Sequence, residues 1–262
     1  GKEEKITSMV AVTEFTADEY LIMLTRKGFI KKTPLNAFSN IRSNGLIAIS
    51  LEEGDQLRWV RKARSEDSIM ISSRKGMMIH FKADDDQLRP LGRATKGVKS
   101  MKLRSMDNII SMDILPSQIV AGIGADYEGE EEDSQEGEEL NESTANQGPW
   151  VLAITTGGYG KRVPVTLFRL QRRAGLGLRA IKFRTEQDQL IAIHVVNEGD
   201  EFMIVTSKGI IIRQTVDAIS PQSRSGKGVR VQRLDGDDAI AAVALVPPSG
   251  EDGETEEGGE AD

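Results

Sequence analysis

Apolar residues along this chain fall into short runs that alternate or run continuously over four to seven positions, and glycine-centred turns cut them apart. Helical periodicity is nearly absent, so the pattern predicts an all-β protein. Four turns sit in the same setting: Thr25-Arg26-Lys27-Gly28, Ser73-Arg74-Lys75-Gly76, Thr155-Thr156-Gly157-Gly158 and Thr206-Ser207-Lys208-Gly209. A β-like run precedes each (Tyr20 to Leu24, Ser68 to Ile71, Val151 to Ile154, Phe202 to Val205). Another follows (Phe29 to Lys32, Met77 to Phe81, Tyr159 to Val163, Ile210 to Arg213). Two such runs joined through X-Gly read as a hairpin, because glycine supplies the positive φ of the turn.

Some 17 to 21 residues beyond each turn glycine stands a second glycine, Gly45, Gly97, Gly177 or Gly228. It opens an alternating run: Leu46 to Leu51, Val98 to Leu103, Leu178 to Phe183, Val229 to Leu234. Acidic or amide turn residues follow, then a further apolar run: Leu57 to Val60, Ile109 to Leu115, Leu190 to Val196, Ile240 to Val246. Ile6 to Val12, of this last kind, opens the chain. The turn glycines lie 48, 82 and 51 residues apart, and the long interval holds an acidic segment of some thirty residues, so the underlying period is about 50. Four strands per such period predict a bladed, propeller-like β-structure whose neighbours share strands. The reading is one domain over residues 5–247 in about four blades, approximately 6–54, 55–107, 108–187 and 188–246, with a disordered acidic insertion at 126–148 and a disordered acidic tail at 248–262.

Charge sharpens this picture. The formal net charge of −7 averages unlike regions: Asp126 to Glu142 holds ten carboxylates and Glu251 to Asp262 seven, with no base in either. Without those seventeen the body stands at +10, which points to a polyanionic partner. The chain has no cysteine, so disulfides, thiolate metal sites and thiol nucleophiles are excluded. No apolar run reaches the roughly 20 residues of a membrane span, and the charged first residues lead into no signal-like stretch; a soluble, cytoplasmic protein is expected.

Catalysis finds no constellation. His80 and His194 are single histidines on apolar runs, Asp84-Asp85-Asp86 lacks the alternating ligands of a calcium loop, and Ser225-Gly226-Lys227-Gly228 lacks the spacing of a phosphate loop. No catalytic residue, metal or cofactor is expected in this segment. Basic residues, by contrast, recur at equivalent places. After the turn glycines come Lys31-Lys32, Lys161-Arg162 and Arg213. Before and just after the second glycines come Arg42; Arg93, Lys96 and Lys99; Gln171, Arg172, Arg173, Gly175, Gly177 and Arg179; and Arg224, Lys227 and Arg230. Lys and Arg beside glycine, with accessible backbone amides, suit phosphate contacts that fix position without reading sequence. With aromatics at 5%, duplex DNA fits better than a stacked single strand.

Gly158-Tyr159-Gly160-Lys161-Arg162, Ala94-Thr95-Lys96-Gly97-Val98, Gly45-Leu46-Ile47-Ala48-Ile49 with Glu53-Gly54-Asp55, and Ile109-Ile110-Ser111-Met112 resemble the C-terminal β-pinwheel of the DNA gyrase A subunit, over about Glu4 to Pro247. The resemblance implies a non-catalytic module that wraps duplex DNA with a positive crossing and so supports ATP-dependent negative supercoiling by the whole enzyme. Its partners there are the gyrase A N-terminal region and the gyrase B subunit; ATP and magnesium belong to that assembly. None of Tyr20, Tyr127 and Tyr159 follows an arginine as the family's nucleophile does. Gln171 to Gly177 is similar to the family's wrapping box, with Ala174 in place of a glycine and Leu176 in place of a basic residue. The family pinwheel usually has six blades and four are counted here, so a fragment or shortened form is expected. The corresponding domain of topoisomerase IV and a propeller-like protein-interaction module are the alternatives; both a bacterial cytoplasm and a plant organelle suit the source.

Overall fold

The computed structural model describes residues 6–41, 43–121 and 148–246. The insertion and tail expected to be disordered lie outside the described residues, apart from Gly148. The first sheet is built on the hairpin β1 (Glu19–Thr25) and β2 (Phe29–Pro34). It adds β3 (Leu57–Arg64) beside β1 and a two-residue strand, β6 (Val98–Lys99), beside β2. The second sheet repeats this with β4 (Ser68–Ser73), β5 (Met77–Lys82), β7 (Ile109–Leu115) and β10 (Leu178–Arg179). The third has β8 (Trp150–Thr155), β9 (Tyr159–Pro164), β11 (Leu190–Val196) and β14 (Val229–Arg230). The fourth has β12 (Glu201–Thr206), β13 (Ile211–Thr215) and β15 (Ile240–Val246), three strands among the described residues. The strand pairings within these sheets are antiparallel.

Strand sharing is therefore present, and its geometry moves the expected blade boundaries. The run after the acidic turn closes its own hairpin (β1 with β3), and the run after the second glycine crosses to the hairpin before it (β2 with β6). Residues 55–64 belong with the first blade, not the second. Two expected strands are not formed: Ile6 to Val12 and Leu46 to Leu51 are irregular and belong to none of the sheets, with Ile6, Met9 and Ile47 exposed.

Three apolar clusters lie between successive sheets. Ile22, Leu24 and Ile30 meet Ile69, Ile71, Ile79 and Phe81; Met70 and Met78 meet Val151, Ala153 and Val163; Leu152 and Ile154 meet Phe202 and Ile204. Within β4 and β8 successive side chains go to different clusters, so both faces of an inner blade are dry and their sequences read as unbroken apolar runs. A fully buried aliphatic or aromatic side chain is worth about 1.5–3 kcal/mol over an exposed one, which is what joins the blades. At the fourth sheet the pattern changes: β13 alternates between exposed and half-buried, its outward row carrying Ile211 and Arg213.

Each hairpin turn is clamped by an aspartate from the later acidic turn. Asp55 accepts the Lys27 amide at 3.0 Å, Asp107 that of Lys75 at 3.0 Å, Asp188 that of Gly157 at 2.8 Å and Asp238 that of Lys208 at 3.1 Å. The Ser207 hydroxyl is the chief reason that Asp238 is held down at about 2.

Candidate nucleic-acid interface

The segments around the second glycines adjoin one another. Ser50 donates its amide to Thr95 at 3.1 Å, Ala174 to Ser100 at 2.8 Å, Lys102 to Gly175 at 2.8 Å and Lys182 to Gly226 at 3.3 Å. The runs after Gly45, Gly97 and Gly177 thus adjoin the loop of the following repeat, and the runs at residues 98, 178 and 229 dock on the hairpin of the preceding repeat. Residues 45–51, 92–103, 171–183 and 222–234 form one continuous belt. Gly97 and Gly177 make the crossing possible: at φ +94° and +79°, an added Cβ would stand 2.5 Å from the Ile30 and Met78 carbonyl oxygens.

Lys96, Lys99, Arg172, Lys227 and Arg230 are exposed on this belt, and Arg93, Gln171, Arg173 and Arg179 are half-buried in it. Arg224, Gly175 and Gly177 are buried. Arg42 lies outside the described residues. The Tyr159 ring receives two guanidinium groups, Arg230 at 4.8 Å and Arg184 at 4.7 Å from its centre.

The expected phosphate contacts at Lys31, Lys32 and Lys161 are corrected: all three have 0% exposure. Lys32 donates to the Ala83 carbonyl at 2.6 Å, the Ser65 hydroxyl at 3.0 Å and the Asp85 carboxylate at 2.8 Å, against the Tyr20 ring. Lys31 and Lys161 turn beneath the loops lent by the next repeat. Burial pushes their ammonium groups down, Lys31 to about 8 and Lys161 to about 7, the Arg224 charge adding to the second. In a single sequence a basic residue on a strand looks solvent-facing; here a segment some sixty residues later covers it. Arg162 is mostly covered too, between Asp217 at 3.0 Å and the Trp150 ring at 4.7 Å. Arg213 pairs with Glu201 on β12 of the fourth sheet, whose hairpin borrows no outer strand among the described residues.

The loop Gln171 to Gly177 separates two roles that the sequence pattern merges. The Arg173 guanidinium donates to the Gln87 and Lys99 carbonyls, both at 2.5 Å, and its amide to Gln87 Oε1 at 2.8 Å. It therefore anchors the loop, while Arg172 is exposed. Arg172 and Arg173 border an open cleft of about 570 Å³ with Lys82, Asp84, Asp86 and Gln87. A second cleft, about 370 Å³, is lined by Lys27, Phe29, Lys99, Met101, Lys102, Leu103 and Ala174. It adds Lys27 and Lys102 to the basic surface, two residues missing from the set expected on sequence; for Lys27 the recurrence of basic residues in the hairpin turns was the available signal.

Ala174 holds φ +68° in this loop, a conformation costing an alanine roughly 1–2 kcal/mol, less the roughly 0.5–1 kcal/mol of extra chain entropy a glycine would lose. Ala174→Gly is expected to raise unfolding free energy by about 0.5–1 kcal/mol, read as a higher urea midpoint; a lower midpoint would contradict the strain.

Gln171 donates its amide to the His80 carbonyl at 2.7 Å, and the His80 ring braces the same region from inside. The Phe168 carbonyl, 2.8 Å from Nδ1, can only accept, so Nδ1 carries the proton and Nε2 accepts from Ser68 Oγ at 2.6 Å. Burial pushes the ring down to about 4, outweighing the Phe168 bond. A base depressed on folding withholds a proton that the unfolded chain takes up, so stability is full above pH 6.5 and falls as pH drops towards 4. The loss attributable to this ring is about 3 kcal/mol. Urea titrations from pH 7 to 4 are expected to show a shallower fall for His80→Gln than for the unaltered chain; parallel curves would refute the assignment.

Among the described residues no three His, Asp or Glu side chains converge as a metal site, and no helix is long and apolar enough to cross a membrane. The family model described as "DNA gyrase C-terminal domain, beta-propeller" matches residues 19–64, 67–116, 149–197 and 200–247, following the sheets blade by blade. The chain belongs to this family. The DNA gyrase A subunit of Synechocystis sp. is 66% identical over 253 residues, covering 96% of this chain and 29% of that protein. The chloroplastic/mitochondrial DNA gyrase A subunit of Arabidopsis thaliana is 41% identical over 261 residues, 97% of this chain and 26% of that protein. The chain thus spans under a third of the length of these gyrase A relatives. Two solved structures share its fold. The C-terminal domain of DNA topoisomerase IV has a TM-score of 0.75 at 21% identity, covering 94% of this chain and 67% of that one. A DNA gyrase A C-terminal domain has 0.69 at 22%, covering 94% and 71%. The fold is the β-pinwheel of gyrase A and topoisomerase IV C-terminal domains.

Proposed function

We propose that the belt binds duplex DNA through its phosphates, without reading bases, and bends it as the non-catalytic wrapping module of a gyrase A subunit. The observation that carries this is the hydrogen-bonded continuity of the four segments around the second glycines, which sets Lys96, Lys99, Arg172, Lys227 and Arg230 on one path rather than on separate loops. Bending a short duplex by 40–90° costs on the order of 1–6 kcal/mol, which several such contacts offset at moderate salt. In the whole enzyme the module would present a positively crossed segment to the catalytic region of gyrase A, with gyrase B supplying the ATP-driven step, in a bacterial cytoplasm or a plant organelle. The 66% identity to a gyrase A subunit supports gyrase over topoisomerase IV. The test is topological: the 262-residue chain is bound to nicked circular DNA, the nick is sealed and the linking number is read. A positive shift is expected; binding without a shift would mean that the belt holds DNA but does not wrap it.

A further inference from the structure

Lys31 and Lys161 hold equivalent places, three residues after the turn glycines Gly28 and Gly158, in β2 and β9. A buried ammonium costs several kcal/mol unless its donors are met. Both are met by main chain alone. Lys161 Nζ donates to the carbonyls of Ser223 at 2.8 Å, Arg224 at 2.6 Å and Gly226 at 3.0 Å. Lys31 Nζ donates to those of Ala48 at 2.6 Å, Thr95 at 3.2 Å and Arg93. Among the described residues neither has a carboxylate partner.

The other two repeats show what the charge is for. Their equivalent residues are Ile79 and Ile212, so the fold accepts an apolar side chain at this position. Over β5, where Ile79 stands, the loop of residues 171–177 is anchored by its own Arg173. Over β13, where Ile212 stands, no outer strand docks among the described residues. At the two places that have a lysine, a lent loop lies overhead and its main-chain carbonyls converge on that ammonium.

We propose that Lys31 and Lys161 are positioning residues for DNA binding. They gather the carbonyls of residues 93–95 and 223–226 inward, which turns Lys96 with Lys99, and Lys227 with Arg230, out along the belt. They touch no phosphate themselves. The inference rests on the DNA-binding reading above.

A double-mutant cycle on the 262-residue chain tests both separately, using duplex binding over a series of salt concentrations and hydrogen exchange of the loop amides. Lys161→Ile is expected to weaken binding about tenfold and to flatten the log–log salt dependence by about 1 to 2, as though one or two phosphate contacts were lost. Amides of residues 222–228 should exchange faster and those of β8 unchanged. In a chain already carrying Lys227→Ala and Arg230→Ala, Lys161→Ile should cost less than about a further twofold, since it acts through those two. Lys31→Ile against Lys96→Ala and Lys99→Ala repeats the cycle on the first blade. Unaltered affinity and salt slope in both Lys→Ile variants, additive losses in both cycles, or global unfolding of both variants would overturn the proposal. Failure of the unaltered chain to bind duplex would instead remove the reading beneath it, and the proposal with it.

Discussion

Replacing Lys96, Lys99, Arg172, Lys227 and Arg230 together by alanine is expected to lower duplex affinity by at least about a hundredfold at moderate salt and to leave the fold intact. All five are exposed on the belt. Each cation that neutralises a phosphate contributes about −0.9 to the slope of log K against log salt, so losing five should flatten it by about 4 to 5. Stability should change little, since exposed substitutions away from buried networks stay within about 0.5 kcal/mol each. The Lys96 to Glu52 pair at 2.5 Å does not alter this: both side chains are well exposed, and such a pair is worth about 0–1 kcal/mol. Arg213→Ala serves as the control. Its guanidinium is paired with Glu201 and it lies in none of the four belt segments, so affinity should stay within about twofold because no counterion release is lost. Fluorescence anisotropy with unrelated duplexes at several salt concentrations reads both variants. A fivefold variant with unchanged slope would place the DNA somewhere other than the belt.

Gly177→Ala is expected to destabilise the chain by about 1.5–4 kcal/mol, and Gly209→Ala by only about 0.5–1 kcal/mol, once the roughly 0.5–1 kcal/mol of extra chain entropy that glycine loses on folding is subtracted. Both glycines have a left-handed φ, +79° and +84°, which costs an alanine roughly 1–2 kcal/mol. They differ in what a Cβ would meet. At Gly209 there is nothing within 4 Å; at Gly177 the Met78 carbonyl oxygen stands at 2.5 Å and its carbon at 2.8 Å. Those atoms are strand backbone and cannot swing aside, so β10 must lift from β5, adding about 1–3 kcal/mol of the kind overpacked sites show. Lifting β10 also frees the loop that presents Arg172, so duplex binding should weaken with stability at Gly177 and hold at Gly209. Urea unfolding of the two variants decides this; equal losses would mean that the close approach of β10 to β5 does not govern the site.

Much of this was legible in the residues. Hairpins were marked by X-Gly between short apolar runs, and the period of about 50 made them blades, because a turn needs positive φ and a β-face needs a partner wherever it occurs in the chain. The recurrence of Lys and Arg next to the second glycines likewise located the belt. Pairing between repeats was less visible: Leu46 to Leu51 has the same alternation as Val98 to Leu103, yet only the latter contributes a strand, which docks on β2, a partner far away in sequence.

What the sequence by itself determined was the kind of element at each place, the repeat and the separation of a basic body from two acidic runs. These follow from local dihedral preferences, period-two alternation and counting. Tertiary structure alone decided which charges face solvent. Lys31 and Lys99 are both basic residues in strands of one sheet, but loop carbonyls from Ala48, Arg93 and Thr95 enclose the first, while the second stays exposed. The division between Arg172 and Arg173 has the same origin, in carbonyls of Gln87 and Lys99 more than seventy residues away. Burial of a charge is set by what the chain brings over it, and that contact is nonlocal.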